Sequence, residues 1–165
     1  MPASPSDLFT YLDTLKIAHQ TVEHAATFTV EAGRHLKSEM PGGHTKNLFM
    51  RDKNGARILI SAWCDSHLKL NQLHKQIGTR RLSFGSAEDM QDALGVQPGS
   101  VTAFALINDR QGEVQFILDA ALLAFRTVNF HPLVNTATTA ILTEDLLRFV
   151  AATNHSLTSI DFTTL

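Results

Sequence analysis

Leu48-Phe49-Met50-Arg51-Asp52-Lys53-Asn54-Gly55-Ala56-Arg57-Ile58-Leu59-Ile60 sets two runs of large apolar residues on either side of a polar stretch. Short apolar runs bounded by turn residues read as strands, and Asn54-Gly55 supplies the positive φ angles that a tight hairpin demands. An antiparallel pair is therefore predicted here, and its partners must lie on both sides of it in the chain.

Toward the N terminus, Ser4 and Pro5 read as an N-cap and first helical residue. Leu8, Leu12, Leu15 and Ile17 then recur near the helical period, which predicts a helix from Pro5 to Ile17. A short strand is expected over Gln20 to Glu23, followed by a helix opened by Thr29 and Glu31 that ends near Lys37, before Pro41-Gly42-Gly43. Toward the C terminus, Leu70, Leu73 and Ile77 mark one short amphipathic helix, and Met90, Ala93 and Leu94 another that stops at Gly95. A second hairpin is predicted, Val101 to Ile107 against Val114 to Leu118, across Asn108-Asp109-Arg110-Gln111-Gly112, with further strands over Val128 to Phe130 and Ala137 to Ile141. Thr143, with Glu144 and Asp145 in the first turn, opens a last helix that buries Leu146, Leu147 and Val150, and the tail beyond His155 reads as irregular.

Strands and helices mix without a βαβα rhythm. The expected fold is α/β of the α+β type, with a mixed, largely antiparallel central sheet or partly open barrel and peripheral helices. One domain over 1–165 accommodates the whole length. Met1 to Asp7 shows no basic segment followed by an apolar run, and nowhere do 18 apolar residues stand together, so the chain reads as soluble and cytoplasmic with no membrane partner. Cys64 is the single cysteine, which excludes an intrachain disulfide and a multi-cysteine zinc site. A net charge of -2 argues against coating nucleic acid through bulk electrostatics, so any such contact must be local.

The eight histidines are scattered, with no HExxH pair, and metal chemistry is not expected. Cys64 beside Asp65 admits two readings, a nucleophile or a small hydrophobe at the end of an apolar strand, of which the second is favoured. Gly85-Ser86 and Gly99-Ser100 fall outside the Gly-x-Ser-x-Gly elbow, and no GxGxxG or Walker loop is present. Three segments remain polar where a strand or loop should be bland: His44-Thr45-Lys46-Asn47, Gly95-Val96-Gln97-Pro98-Gly99-Ser100 and His131-Pro132-Leu133-Val134-Asn135. Arg51, Lys53, Arg57, Lys69, Lys75, Arg80 and Arg81 form the densest basic stretch, either a local patch for an acceptor stem or a solvated face.

Taken together, Lys46-Asn47-Leu48-Phe49, Arg81-Leu82-Ser83-Phe84, Leu94-Gly95-Val96-Gln97-Pro98-Gly99-Ser100-Val101-Thr102 and Phe130-His131-Pro132 with Asn135 resemble the YbaK/ProX family of aminoacyl-tRNA editing domains, in the family's order. The similarity spans roughly Pro5 to Phe162, and Lys46 to Phe49 with Asn135 to Thr139 looks closest to the freestanding ProX/PrdX branch that deacylates alanyl-tRNA(Pro). The resemblance implies a YbaK/ProX-like fold, an ester hydrolase with no cofactor and no metal, the tRNA(Pro) acceptor end as substrate, and prolyl-tRNA synthetase as a further candidate partner. It makes Lys46 the family's essential lysine, Gly95 to Pro98 the loop that holds the terminal adenosine, and His131 the pocket histidine, with Asn47, Ser100 and Asn135 as weaker transfers and Gly99 and Pro132 as further substrate-binding residues. Ala103 stands where relatives often carry proline.

The substrate ester is labile, so positioning by Lys46 and backbone amides near Gly95 to Ser100 would supply much of the rate, with His131 or Asn47 orienting a water. Phe28, Val30 and Leu48 are the candidates for a pocket that excludes proline by size. Two alternatives stay open: the same hydrolase with cysteinyl- or seryl-tRNA specificity, or a noncatalytic module that binds aminoacyl-tRNA or a synthetase.

Overall fold

The computed structural model describes residues 1–26 and 29–165. Helix α1 (Pro5–Thr14) opens with a reciprocal cap, in which the Ser4 hydroxyl accepts from the Asp7 amide and the Asp7 carboxylate from the Ser4 amide. It closes earlier than the predicted Ile17. Lys16 takes φ +58°, and the Ile17 amide reaches back to Leu12 O, a Schellman closure that buries Ile17 with Leu8 and Leu12.

The described residues form eight strands: β1 (Gln20–Glu23), β2 (Gly43–Arg51), β3 (Arg57–Trp63), β4 (Ser83–Phe84), β5 (Val114–Asp119), β6 (Thr127–Phe130), β7 (Ala137–Leu142) and β8 (Leu157–Ile160). They form one open sheet in the order β1-β7-β6-β2-β3-β5-β8, with β4 added to β2. The β1–β7, β6–β7, β2–β3 and β2–β4 pairs are antiparallel, while β2–β6, β3–β5 and β5–β8 are parallel. The expected mixed, largely antiparallel sheet is what forms, and it does not close into a barrel.

The predicted β2–β3 hairpin forms, with Leu48 opposite Ile60, but its turn is not the tight Asn-Gly type, which would have set Leu48 opposite Ser61. Of that pair only Gly55 has positive φ, at +89°. The organiser is Asp52, whose carboxylate accepts from the amides of Asn54, Ala56 and Arg80 and is held below the usual carboxylate range, chiefly by the Arg80 amide. The second predicted hairpin is absent. Ala103–Asn108 is a 3-10 turn that buries Ala103, Phe104, Ala105 and Leu106 in succession, opened by Thr102, whose hydroxyl accepts from the Phe104 amide. β5 instead runs parallel between β3 and β8. The tail expected to be irregular supplies β8 and the buried Phe162, after Asn154 (φ +64°) reverses the chain.

The remaining helices are α2 (Val30–Glu39), α3 (Leu70–Ile77), α4 (Ala87–Leu94) and α5 (Thr143–Ala152). α1, α4 and α5 bury Leu8, Leu12, Leu94, Leu146 and Phe149 in a cluster with Phe49, Leu59, Phe116 and Phe130. Phe104 sits at its centre, edge-on to Phe130 (5.6 Å) and Phe149 (5.5 Å). Leu147, placed on the buried face of α5 by spacing, is 41 % exposed, and Phe149 takes its place. A second cluster on the other face of β2–β3 packs Met50, Ile58 and Ile60 against Leu73 of α3.

The partner edge of β2 fixes where a site can form. β6 pairs with it only at Gly43–His44, and β4 only at Met50–Arg51, so the sheet splits between them. Gly42 (φ +109°) permits this junction, since a Cβ there would collide with Thr127 O.

Candidate active site

A cavity of about 380 Å³ lies under α2 where β6 leaves β2. Val30, Gly33 and Leu36 wall it from the helix, and His44, Thr45, Cys64, Asn129, His131 and Thr138 from the sheet. The Thr29 hydroxyl caps α2 by accepting from the Ala32 amide, and the helix buries none of its residues. Its few apolar side chains thus form a thin roof rather than part of the core.

His131 is one of the residues that line this cavity. Its Nδ1 lies 2.9 Å from Ala137 O, and because a carbonyl only accepts, Nδ1 carries the proton and Nε2 of the neutral ring is left as an acceptor. His44 makes the same arrangement in reverse, with Nε2 donating to Met40 O at 2.7 Å. Burial, the largest influence, holds the His44 pKa below the histidine norm.

Lys46 is not one of the cavity walls but stands beside them. It faces Ala62 across the hairpin, and the Cys64 amide donates to His44 O, so His44, Lys46, Ala62 and Cys64 share one face of β2–β3. Half-buried, Lys46 donates through Nζ to Ser66 O at 2.5 Å. Asn47 points to the other face by strand alternation, and there its Oδ1 accepts from Ser61 Oγ at 2.5 Å while its Nδ2 donates to Thr45 Oγ1 at 3.1 Å. The structure thus makes Asn47 a clamp between β2 and β3, bonded to Thr45 of the cavity wall without lining the cavity itself.

The Gly95 to Ser100 loop does not reach the cavity either. Gly95 (φ +65°) ends α4 against Asn108 and Pro2, and Val96 is buried in the main core. Ser100 is buried after closing a turn onto Gln97 O at 3.0 Å, while Gln97, Pro98 and Gly99 form an exposed tip. Gly99 approaches the other predicted segment, since a Cβ there would meet Asn135 Nδ2 at 3.3 Å. Pro132 lines a neighbouring depression with His24, Val134 and Thr136. His24 lies 6.2 Å from His131, ring to ring, and bonds Thr138 Oγ1 through Nε2. The 131–136 segment therefore runs from the cavity, past this depression, to the Gly99 tip.

Of the three residues expected to form a size sieve, Val30 lines the cavity, Leu48 packs against the α3 cluster instead, and Phe28 lies outside the described residues. Gly33, Leu36, Asn129 and Thr138 were not singled out by the sequence reading. The basic stretch is partly neutralised: Arg51 pairs with Asp89 at 2.7 Å, and Arg57 with Asp92 at 2.7 Å and Glu113 at 3.7 Å. Among the described residues, no three of His, Cys, Asp and Glu gather as a metal-ligand set, and no helix is long and apolar enough to cross a membrane.

The family model for the aminoacyl-tRNA editing domain matches residues 24–149. The chain belongs to the aminoacyl-tRNA editing domain family. Relatives of this editing domain include prolyl-tRNA synthetase associated domain-containing protein 1 of Xenopus laevis, 36% identical over 161 residues that cover 94% of this chain and 95% of that protein. The prolyl-tRNA editing protein ProX of Acetoanaerobium sticklandii is 34% identical over 151 residues, 91% of this chain and 92% of that one. The fold is that of a crystallised candidate trans-editing enzyme for prolyl tRNA synthetase, with a TM-score of 0.71 at 17% identity over 98% of this chain and 99% of the other.

Proposed function

We propose that this editing domain is a cytoplasmic trans-editing hydrolase that deacylates mischarged alanyl-tRNA(Pro). The observation that carries the reading is the juxtaposition of a half-open cavity under α2, lined by His131, with the ammonium of Lys46 on the adjoining face of β2. The volume of the cavity lies within the range of small-molecule sites, and its Val30–Gly33–Leu36 roof offers no polar handle to an acyl side chain. The name of the Acetoanaerobium relative, a prolyl-tRNA editing protein, supports tRNA(Pro) as the carrier.

In this mechanism the acyl group enters under α2 while Lys46 holds a phosphate or ribose oxygen of the terminal nucleotide as a compact point charge. The exposed amides of the Gln97–Gly99 tip, backed by Asn135, receive the adenosine. The unprotonated Nε2 of His131 orients a water toward the ester carbonyl, and the substrate's own ribose hydroxyl assists the proton transfer. Asn47 contributes by fixing β2 to β3 beneath Lys46, and Lys53, Lys75, Arg80 and Arg81 remain for the acceptor stem, with prolyl-tRNA synthetase as a second partner. The reaction needs no cofactor.

The deciding experiment measures amino-acid release from tRNA(Pro) charged with alanine, cysteine, serine or proline. Alanine is expected to leave fastest and proline to be spared. Release no faster than the uncatalysed rate for every ester would refute the hydrolase reading, and preferential release of cysteine or serine would replace alanine as the substrate.

A further inference from the structure

A depression of about 400 Å³ adjoins the cavity under α2. Pro5 and Phe9 of α1 form one wall and Pro132 and Val134 another, over the face of the β1–β7 pair on which Glu23 stands opposite Ala137. The Phe9 ring is fixed by His19, stacked on it at 5.1 Å. The two hollows meet at His24 and His131, whose rings lie 6.2 Å apart. Pro132, expected among the substrate-binding residues, lines this depression and not the cavity.

Most of the polar groups around it are engaged inside the protein. The Thr21 hydroxyl is bonded to that of Thr139 at 2.7 Å, and the His24 ring to Ala25 O and to Thr138 Oγ1, each at 2.8 Å. The one acid in the lining, Glu23, is exposed, and among the described residues its carboxylate has neither an ion pair nor a hydrogen bond. An apolar platform closed by a free carboxylate suits a nucleobase that presents an exocyclic amine, and the same charge repels a phosphate. The position of such a base in the substrate follows from the terminal ribose, which carries the acyl group, the adenine and the 5′ continuation of the strand. On the deacylase reading the first enters the cavity and the second the Gln97–Gly99 tip. The 131–136 segment that joins those two places runs past the depression, which leaves it for the third.

We propose that this depression is a binding site for the penultimate nucleobase of the tRNA 3′ end, the cytosine before the terminal adenosine, seated against Phe9 and Pro132 with the Glu23 carboxylate accepting from its N4 amine. The inference rests on the deacylase reading and adds a base-specific contact to it. Uracil in the same place sets its O4 carbonyl against the carboxylate and is disfavoured.

The test uses the full chain and two alanyl-tRNA(Pro) substrates ending in CCA or CUA, made by ligating chemically alanylated pCpA or pUpA to the truncated tRNA. Wild type is expected to favour the CCA substrate by about 5- to 10-fold in kcat/KM, between the effect of an exposed charge pair and that of a full hydrogen bond to a charged group. Glu23→Ala should bring the two substrates within about twofold by slowing the CCA one alone, with thermal unfolding followed in parallel. Glu23→Gln keeps an acceptor for cytosine and adds a donor for uracil O4, so it should narrow the gap from the other side, by speeding the CUA substrate. Equal rates on CCA and CUA in wild type, or a preference that survives in folded Glu23→Ala, overturn the inference while leaving the deacylase standing. Failure to hydrolyse either substrate overturns both.

Discussion

Lys46→Ala is expected to lower alanyl-tRNA(Pro) deacylation by about 10- to 150-fold in kcat/KM, equivalent to about 1.5–3 kcal/mol, the worth of a hydrogen bond to a charged group. Nζ already donates to Ser66 O at 2.5 Å, which leaves two of its three N–H bonds for a phosphate or ribose oxygen. A unit pair at roughly 4 Å and an effective dielectric of about 20 would contribute about 4 kcal/mol, and the half-exposed position and salt reduce this to the quoted range. The fold loses less. Removing one hydrogen bond to a backbone carbonyl costs about 1 kcal/mol, or about 2–4 °C in Tm for a domain of this size. Single-turnover alanine release and thermal unfolding, run side by side, separate the two effects. Activity should also become less sensitive to salt in the variant, with the log–log slope reduced by roughly 0.7–0.9 for one lost phosphate contact. A folded Lys46→Ala protein with kcat/KM within about threefold of wild type and an unchanged salt slope would refute the placement of this ammonium on the substrate.

Three further outcomes follow from the packing and protonation of the site. Burial holds the folded His44 pKa below the ordinary histidine value, so the unfolded chain binds its proton first and wild type loses stability as pH falls below about 6.5; His44→Gln lacks this component and should give a flatter Tm profile on that acid side, whereas equal slopes would contradict the assignment. A Cβ at Gly85 would fall within 2.5 Å of Phe49 Cε2, and Gly85→Ala should therefore cost about 1–3 kcal/mol, read as a Tm drop of roughly 3–10 °C, with an unaltered Tm showing that the ring can move freely. Cys64 lies on the cavity wall with only a 3.7 Å contact from Sγ to Asp65, so Cys64→Ala should keep single-turnover alanine release within about threefold of wild type; abolished turnover in a folded variant would revive covalent catalysis.

Much of the fold was legible where the signals are local. The β2–β3 hairpin, the N-cap of α1 and the stop of α4 at Gly95 depend on residues close to one another in the chain. Val101 to Ile107 and the C-terminal tail were misread because their states are decided by distant partners: the first is buried on all sides by α4 and the sheet, and the second completes the open edge of β5. In the site, Lys46 and Asn47 are adjacent in a strand, and their opposite directions were already implied by the two-residue period. Asn129 stands between Val128 and Phe130 as one polar residue in an apolar strand, a pattern shared by any solvated strand face. What sets it apart is the pair of carbonyls delivered by the Pro41–Gly43 segment, nearly ninety positions away.

The anchoring of β2 at both ends, by β6 at Gly43–His44 and by β4 at Met50–Arg51, bears on how this domain can diversify. A hairpin strand held only through its turn slides when the turn lengthens, and every such slip by one position would present the amide of Asn47 where the ammonium of Lys46 now stands. Here the 52–56 connection can gain or lose residues without transmitting the change, since two independent pairings pin the strand. Length variation among homologous chains should therefore concentrate in that connection and spare the lysine's bearing.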